Sequence, residues 1–153
     1  VITGIAGKKG FSVLTIEKDL MNAEIGFGRK VLEVFEDNDL SFEHLPSGID
    51  TMSLVISSAA LEGRRDKLMQ SVARAVHPDS VFIEDGLALV AVVGRGMIKA
   101  KGTAARVCDA LARADVNIRM IDQGSSELNI IVGVDEDEYE TAVAAIYGEF
   151  VRS

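Results

Sequence analysis

The residues best suited to chemistry lie between the first predicted strand and the first predicted helix. This loop contains Glu24 and ends in a Gly-Phe-Gly sequence at residues 26–28. Backbone N–H groups at the start of a helix can hold a carboxylate, and glycine allows a ligand to approach the backbone closely. Glu24, Glu43 and Asp50 are acidic side chains that could receive an ammonium group. The combination suits a free amino acid, although an ordinary strand-to-helix turn has the same composition.

Two glycine-containing segments are poor matches to nucleotide-binding loops. The sequence Gly94-Arg95-Gly96 follows a predicted strand, but Lys99 stands where a dinucleotide-binding loop requires its third glycine. In residues 96–103 the lysine precedes the glycine, whereas a phosphate-binding loop places it afterwards. We therefore expect no cofactor.

The remaining reactive residue types have structural explanations. His44 and His77 lack partners at metal-ligand spacing. The acidic residues at 135–140 open a predicted helix, whose dipole stabilises negative charge there. Cys108 lies on the apolar face of another predicted helix, which indicates a buried thiol. No nucleophile has a matched base, so we predict neither catalytic residues nor a metal site.

Composition restricts the class of protein. The chain has 153 residues, 48% of them hydrophobic, and a net charge of −8. A nucleic-acid-binding protein is disfavoured because it requires clustered positive charge. No apolar run approaches the ~20 residues of a membrane span. With one cysteine and no signal peptide, we expect a cytoplasmic location. The chain starts inside an apolar segment, so we read it as a fragment of a longer protein.

An internal repeat organises the sequence. Residues of the first half recur at an offset of 76 positions without a gap from Met21 to Val55. The matched pairs are Met21 and Met97, Gly26 and Gly102, Val31 and Val107, Asp39 and Asp115, and Gly48 and Gly124, with hydrophobic pairs such as Phe35 and Leu111 at the same offset. The repeat predicts two copies of one small module. Each copy alone is near the size at which a hydrophobic core gives only marginal stability.

Hydrophobic periodicity predicts a βαββαβ order for the first copy. Its predicted strands are 11–17, 40–46, 51–57 and 80–84, and its helices are 26–37 and 64–76. Leu40, Phe42 and Leu45 are expected to face inward from the second strand. The second copy has strands 87–93, 116–122 and 128–134, and helices 103–114 and 138–150.

The second copy lacks a fourth strand, while the apolar segment 1–6 is left over at the start of the chain. We therefore predict an α+β fold of two ferredoxin-like modules, the first inserted in the second, with antiparallel sheets and both helices on one face. Residues 9–86 would form the first domain, and residues 1–8 plus 87–153 the second.

Four segments carry a resemblance to a known family. They are ITGIAGKKGFSVLTIEKDLMN from residue 2, GFGRKVLEVFEDNDLSFEHLPSGIDTMS from residue 26, VVGRGM from residue 92 and NIRMIDQGSSELNIIVGV from residue 117. They resemble the C-terminal regulatory region of aspartokinases, a pair of ACT domains, over essentially the whole chain. The resemblance implies feedback control of aspartate-family amino-acid biosynthesis. The catalytic domain, which uses ATP and Mg²⁺ to phosphorylate the aspartate side chain, is expected to be absent, so this chain would not be an enzyme.

The resemblance also implies an effector site. Its residues would be Met21, Glu24, Gly26, Phe27, Gly28, Glu43, Ser47 and Gly48. The family often has a small polar residue at the place of Glu24 and an aspartate at the place of Glu43. A second possible site in the other copy would comprise Met97, Gly102, Ser125, Ser126 and Glu127. Because Lys99 and Lys101 occupy its loop, it need not bind the same ligand.

The identity of the effector follows less directly. An acidic pocket suits the second ammonium of L-lysine, and homodimeric family members with similar segments are lysine-sensitive. L-threonine stays open, since its hydroxyl needs only Ser47 or a backbone group. A purely structural dimerisation module is the other alternative. The resemblance implies a homodimer through the ACT domains and a kinase domain on the same chain as partners, with neither nucleic acid nor membrane.

Overall fold

The computed structural model describes residues 4–94, 101–124 and 129–151. The chain divides into two compact units, which are Gly10–Asp85 and the combination of Val1–Lys9 with Gly86–Ser153. We call them the continuous unit and the discontinuous unit. The structure has five strands, β1 (Gly4–Glu17), β2 (Thr51–Ser57), β3 (Ser80–Val93), β4 (Met120–Asp122) and β5 (Asn129–Asp135), and four α-helices, α1 (Phe27–Asp37), α2 (Arg65–Val76), α3 (Thr103–Arg113) and α4 (Tyr139–Val151), within the part described.

In the continuous unit the strand order is β2-β1-β3. Strands β1 and β2 are antiparallel, in register from Phe11↔Ser57 to Glu17↔Thr51. Helices α1 and α2 pack against each other. Their apolar stripes and the sheet bury one cluster, which includes Leu14, Ile16, Val31, Phe35, Leu54, Ile56, Leu68 and Val72. Alternation in the strands and helical spacing in α1 and α2 thus produce a single core, as the periodicity predicted.

In the discontinuous unit the strand order is β1-β3-β5-β4. Strands β3 and β5 are antiparallel from Leu87↔Asp135 to Val93↔Asn129. The buried cluster here includes Val90, Val92, Val107, Leu111, Ile130, Val132 and Ile146. Arg106 and Arg113 of α3 both pair with Glu149 of α4, at 2.9 and 2.8 Å. These ion pairs hold the two helices together at the surface of the unit.

Tyr139 secures the first part of β1 in the discontinuous unit. Its ring lies so close to Gly7 that a Cβ added there would be 2.6 Å from Cε1 of the tyrosine. Lys9 pairs with Glu140 at 2.8 Å, and its Nζ lies 5.6 Å from the centroid of the Tyr139 ring. Only a glycine at position 7 leaves room for the Tyr139 ring in this place.

The two ends of the continuous unit meet through side chains. The buried Ser12 hydroxyl donates to Asp85 Oδ1 at 2.5 Å, and Arg65 pairs with the same carboxylate at 2.7 Å. Gly10 and Gly86, at the two points where the chain passes between units, both have positive φ values of 92° and 76°. Gly10 and Gly86 are separated by the same 76 positions as the pairs of the internal repeat.

The structure corrects three predictions about strands. Segments 1–6 and 11–17 were predicted as separate strands, but β1 is continuous from Gly4, and β3 likewise unites 80–84 with 87–93. Positive φ at Gly10 and Gly86 alters the backbone without ending either strand. The predicted strand 116–122 is shortened to Met120–Asp122.

The predicted strand 40–46 is wrong. Residues 43–47 contact β2 through two isolated bridges, His44↔Val55 and Ser47↔Met52, and through separate backbone hydrogen bonds, but they form no regular ladder. Pro46 lacks the N–H that a regular ladder would use. Leu40 is buried as expected, but Phe42 is 39% exposed. In the part of the chain that the structure describes, no helix is long and apolar enough to cross a membrane.

Candidate functional site

The loop predicted to bind a ligand is shaped by two residues with positive φ. Leu20, at φ 58°, turns the chain out of β1 into a short 3-10 helix at Met21–Ala23. Gly26, at φ 85°, then turns it into α1. Met21 and Phe27 are buried, at 5% and 3% exposure, so they anchor the loop in the core. Both were predicted as site residues, and their burial indicates that they support the loop from the core.

The start of α1 presents backbone donors. Lys30 N–H donates to the Gly26 carbonyl at 3.0 Å, and Phe27 N–H donates to the Glu24 carbonyl at 3.3 Å. By helix geometry, the N–H groups of Gly28 and Arg29 have no acceptor within α1. Such groups at a helix start attract a carboxylate.

Glu24 is already paired with cations of the chain. Its carboxylate lies 2.6 Å from Lys18 Nζ and 3.7 Å from Lys30 Nζ. The hydrogen bond from Lys18, together with the charges of Lys18 and Lys30, lowers the pKa of Glu24 despite partial burial. Lys18 therefore already supplies an ammonium partner to Glu24, the position at which the sequence suggested a ligand ammonium.

Glu43, Ser47 and Gly48 lie on the segment that follows Leu40. Glu43 N–H donates to the Val55 carbonyl at 2.8 Å while its side chain is exposed, and no ion pair holds its carboxylate among the described residues. Ser47 bridges to Met52, and Gly48 N–H donates to the Thr51 carbonyl at 2.8 Å. Glu43 is thus a fixed backbone position with an available carboxylate.

Two backbone hydrogen bonds join this segment to the loop. Lys18 N–H donates to the Asp50 carbonyl at 2.9 Å, and Asn22 N–H donates to the Ile49 carbonyl at 3.0 Å. The structure therefore brings together the two parts of the chain from which the sequence predicted a site. Asp50 itself lines a shallow acidic recess of about 230 Å³, together with Glu17, Lys18, Asp19, Asp79 and Ser80.

Sequence reasoning missed Lys18. Its Nζ bonds Glu24 and also donates to the Val76 carbonyl at 2.5 Å, at the end of α2. It lies 5.9 Å from the centroid of the Phe27 ring. The signal available in the sequence was a lysine directly after a predicted strand and six positions before an acidic loop residue.

Known proteins are similar to this chain over nearly its whole length. The sequence model described as ACT domain matches residues 90–150. Aspartokinase 3 of Bacillus subtilis is 43% identical over 150 residues, covering 97% of this chain and 33% of the relative. The crystal structure of Clostridium acetobutylicum aspartate kinase has a TM-score of 0.95 and 53% identity, covering 98% of this chain and 35% of that one. Residues 90–150 thus match an ACT domain, and nearly the whole chain is similar to about a third of these aspartokinases, so we refer to it as the ACT region.

A further solved structure is E. coli aspartokinase III in complex with lysine and aspartate, described as the T-state. It matches with a TM-score of 0.76 and 25% identity, covering 96% of this chain and 32% of that chain. The ACT region spans about a third of the length of the curated relatives it matches. The family confirms the expected α+β, ferredoxin-like character.

The second copy of the ACT region repeats the backbone of the site but reverses one charge. Gly102 begins α3 with φ 83°, and Arg106 N–H donates to its carbonyl at 3.0 Å. Arg119 stands at the position that matches Glu43, and pairs with Asp135 at 3.0 Å. Met97, Ser125, Ser126 and Glu127, predicted for a second site, lie outside the described residues.

One acidic cluster has the proximity that metal binding requires. Carboxylate oxygens of Asp135, Asp137 and Glu138 lie within 4.8 Å of one another in the described part of the ACT region. Asp135 is held by Arg119, and acids at the start of α4 are favoured by the helix dipole. The cluster is therefore explained without an ion.

Proposed function

We propose that this ACT region is the effector-binding regulatory part of an aspartate kinase. The whole protein would transfer phosphate from ATP to the side-chain carboxylate of aspartate, with the catalytic machinery in a domain outside these residues. The names of the relatives support this activity for the parent protein. Binding of an end-product amino acid to the ACT region would inhibit the kinase.

The proposed effector is L-lysine, bound at the loop and the start of α1 in the continuous unit. Its α-carboxylate would accept hydrogen bonds from the N–H groups of Gly28 and Arg29. Its side-chain ammonium would face Glu43. The observation that carries this assignment is the contrast between the two glutamates, because Glu24 is paired with Lys18 whereas Glu43 keeps an exposed carboxylate. The resemblance to a lysine-bound aspartokinase supports the same choice.

The domain organisation proposed for this region is two ACT modules, the first (9–86) inserted in the second (1–8 and 87–153). Its support is the division into a continuous and a discontinuous unit. Residues 4–9 lie in β1, which neighbours β3, and they would supply the fourth strand that the second repeat lacks.

A structural role in dimerisation is the second candidate function. Three large aliphatic side chains of the site region are strongly exposed, with Leu20 at 66%, Ile25 at 98% and Ile49 at 69%. Ile49 is joined to the loop by the hydrogen bond from Asn22, and exposed apolar side chains that lie together are a common mark of an interface. A homodimer that covers these residues could also bind lysine. A purely structural dimer would form without any ligand.

Calorimetric titration separates these functions. The 153-residue chain is titrated with lysine, threonine and methionine, and its mass is followed by analytical ultracentrifugation. Saturable binding of lysine alone supports the proposal, and binding of threonine alone replaces lysine with that effector. A dimer that binds none of the three amino acids supports the structural role.

A further inference from the structure

Lys18 connects three elements of the continuous unit through one ammonium group. Its Nζ lies 2.6 Å from Glu24 in the loop and 2.5 Å from the Val76 carbonyl at the end of α2. It also lies near the Phe27 ring at the start of α1. With 23% of its side chain exposed, Lys18 is largely enclosed by these partners.

Each contact is favourable for its own physical reason. Val76 is the last residue of α2, so its carbonyl is among those with no helical partner, and the helix dipole attracts a cation there. Glu24 gains a charge-assisted hydrogen bond, which is stronger than a neutral one. The ring face of Phe27 attracts the same charge. The contacts therefore fasten the loop to both helices at once.

We infer that Lys18 is a positioning residue of the effector site, which holds the loop in the orientation that presents the N–H groups of Gly28 and Arg29 to the ligand. This inference rests on the proposed function for its ligand. The loop carries Gly26 and leads into the donors of Gly28 and Arg29, so an untethered loop presents these donors in many orientations. Pre-organisation of this kind raises affinity without any contact between Lys18 and the ligand.

Glu43 and Lys18 should affect the selectivity for lysine over norleucine differently. Glu43 alone would distinguish lysine from norleucine, which has a similar side chain without the ammonium. Loss of Lys18 loosens the loop and weakens both ligands alike, so their affinity ratio stays the same. If Glu24 instead received the ligand ammonium, removing its internal competitor would strengthen lysine binding and raise that ratio.

The test uses the 153-residue chain with Lys18→Met, Lys18→Arg, Glu24→Gln and the double variant. Lys67→Met is the matched control, since Lys67 is an exposed lysine of α2. Lysine and norleucine are titrated calorimetrically at a temperature where circular dichroism shows every variant folded. We expect Lys18→Met to weaken both ligands about fivefold or more. Lys18→Arg should restore most of the affinity, and the double variant should resemble the single ones because the pair acts as a unit.

A ligand-free measurement keeps the test independent of the effector. Amide hydrogen exchange in residues 19–28 should be faster in Lys18→Met than in the parent, and unchanged in Lys67→Met. Unchanged exchange in Lys18→Met overturns the inference, and so does a changed lysine-to-norleucine ratio. A parent chain that binds no amino acid refutes the proposed function, while the exchange measurement still decides whether Lys18 positions the loop.

Discussion

Gly26 and Gly102 begin their helices in the same left-handed backbone conformation, with φ of 85° and 83°. The carbonyl of each accepts the N–H four residues ahead, from Lys30 and Arg106, both at 3.0 Å. Downstream, Asp39 and Asp115 repeat positive φ values of 54° and 58°. The repeat that was read from side chains is therefore present in the backbone of both copies.

These glycines make a prediction about stability. A Cβ at either position meets nothing within 4 Å, so the cost of substitution is conformational. We expect Gly26→Ala and Gly102→Ala each to lower the free energy of unfolding by about 1–2 kcal/mol, the penalty of a left-handed alanine. Urea denaturation measures it. Gly28→Ala is the control, since its Cβ would lie at an ordinary 3.9 Å from Met52, and equal losses at all three positions would refute the explanation.

Gly7→Ala is expected to destabilise the chain for a steric reason. The new Cβ would overlap the ring of Tyr139, which must move away from its packing on the core of the discontinuous unit. Overpacking typically costs about 1–3 kcal/mol. Thermal unfolding of Gly7→Ala, Tyr139→Ala and the double variant should show strong non-additivity. Gly4→Ala, where a Cβ meets nothing within 4 Å, serves as the control on the same strand.

The pairing of Glu149 predicts a pH-dependent contribution to stability. Hydrogen bonds from Arg106 and Arg113 lower the pKa of Glu149 below its ordinary value of 4.5. A lowered pKa in the folded state means that the contribution is present above the ordinary value and is lost as the pH falls through the folded value.

Glu149→Gln should therefore be less stable than the parent at about pH 7, and the difference should shrink at about pH 3. Urea titrations at both pH values measure this difference, with exposed Glu62→Gln as control. A gap of equal size at the two pH values would show that ionisation of Glu149 is not its source.

Glu43→Gln tests the proposed ammonium acceptor directly. Replacing the carboxylate with an amide of the same size should weaken lysine binding about tenfold or more, because a charge pair loses one partner. Norleucine affinity should stay near that of the parent. Exposed Glu36→Gln on α1 is the comparison variant. Calorimetric affinities that are equal for the parent and Glu43→Gln would exclude this role.

The elements predicted best from the sequence are the helices, whose hydrophobic residues repeat at helical spacing. Helices α1, α2 and α3 lie within a residue of their predicted bounds because their apolar stripes recur over three turns. Segment 40–46 was misassigned because alternation of Leu40 and Phe42 resembles a strand, whereas Pro46 limits pairing to isolated bridges. Local pattern does not contain this hydrogen-bond information.

For a related reason, the sequence predicts only some features of the candidate site. The glycine positions were recognisable because their backbone role is local. The pairing of Glu24 with Lys18 was not predicted, since Lys18 reaches Glu24 only after the loop folds back, and Val76 joins them from far along the chain. Pairings between distant residues depend on tertiary structure, so a single sequence presents Glu24 and Glu43 as equivalent carboxylates.

The meeting of Ser12 with Asp85 has a consequence for engineering. Because the continuous unit enters through β1 and leaves through the adjacent β3, its two ends are neighbours. The unit is one continuous segment, Gly10–Asp85, so it can be replaced in a single exchange of coding sequence. We expect that another module of the same topology can be joined to β1 and β3 at the same two points. Replacing the discontinuous unit is harder, because two separate segments of the chain form it.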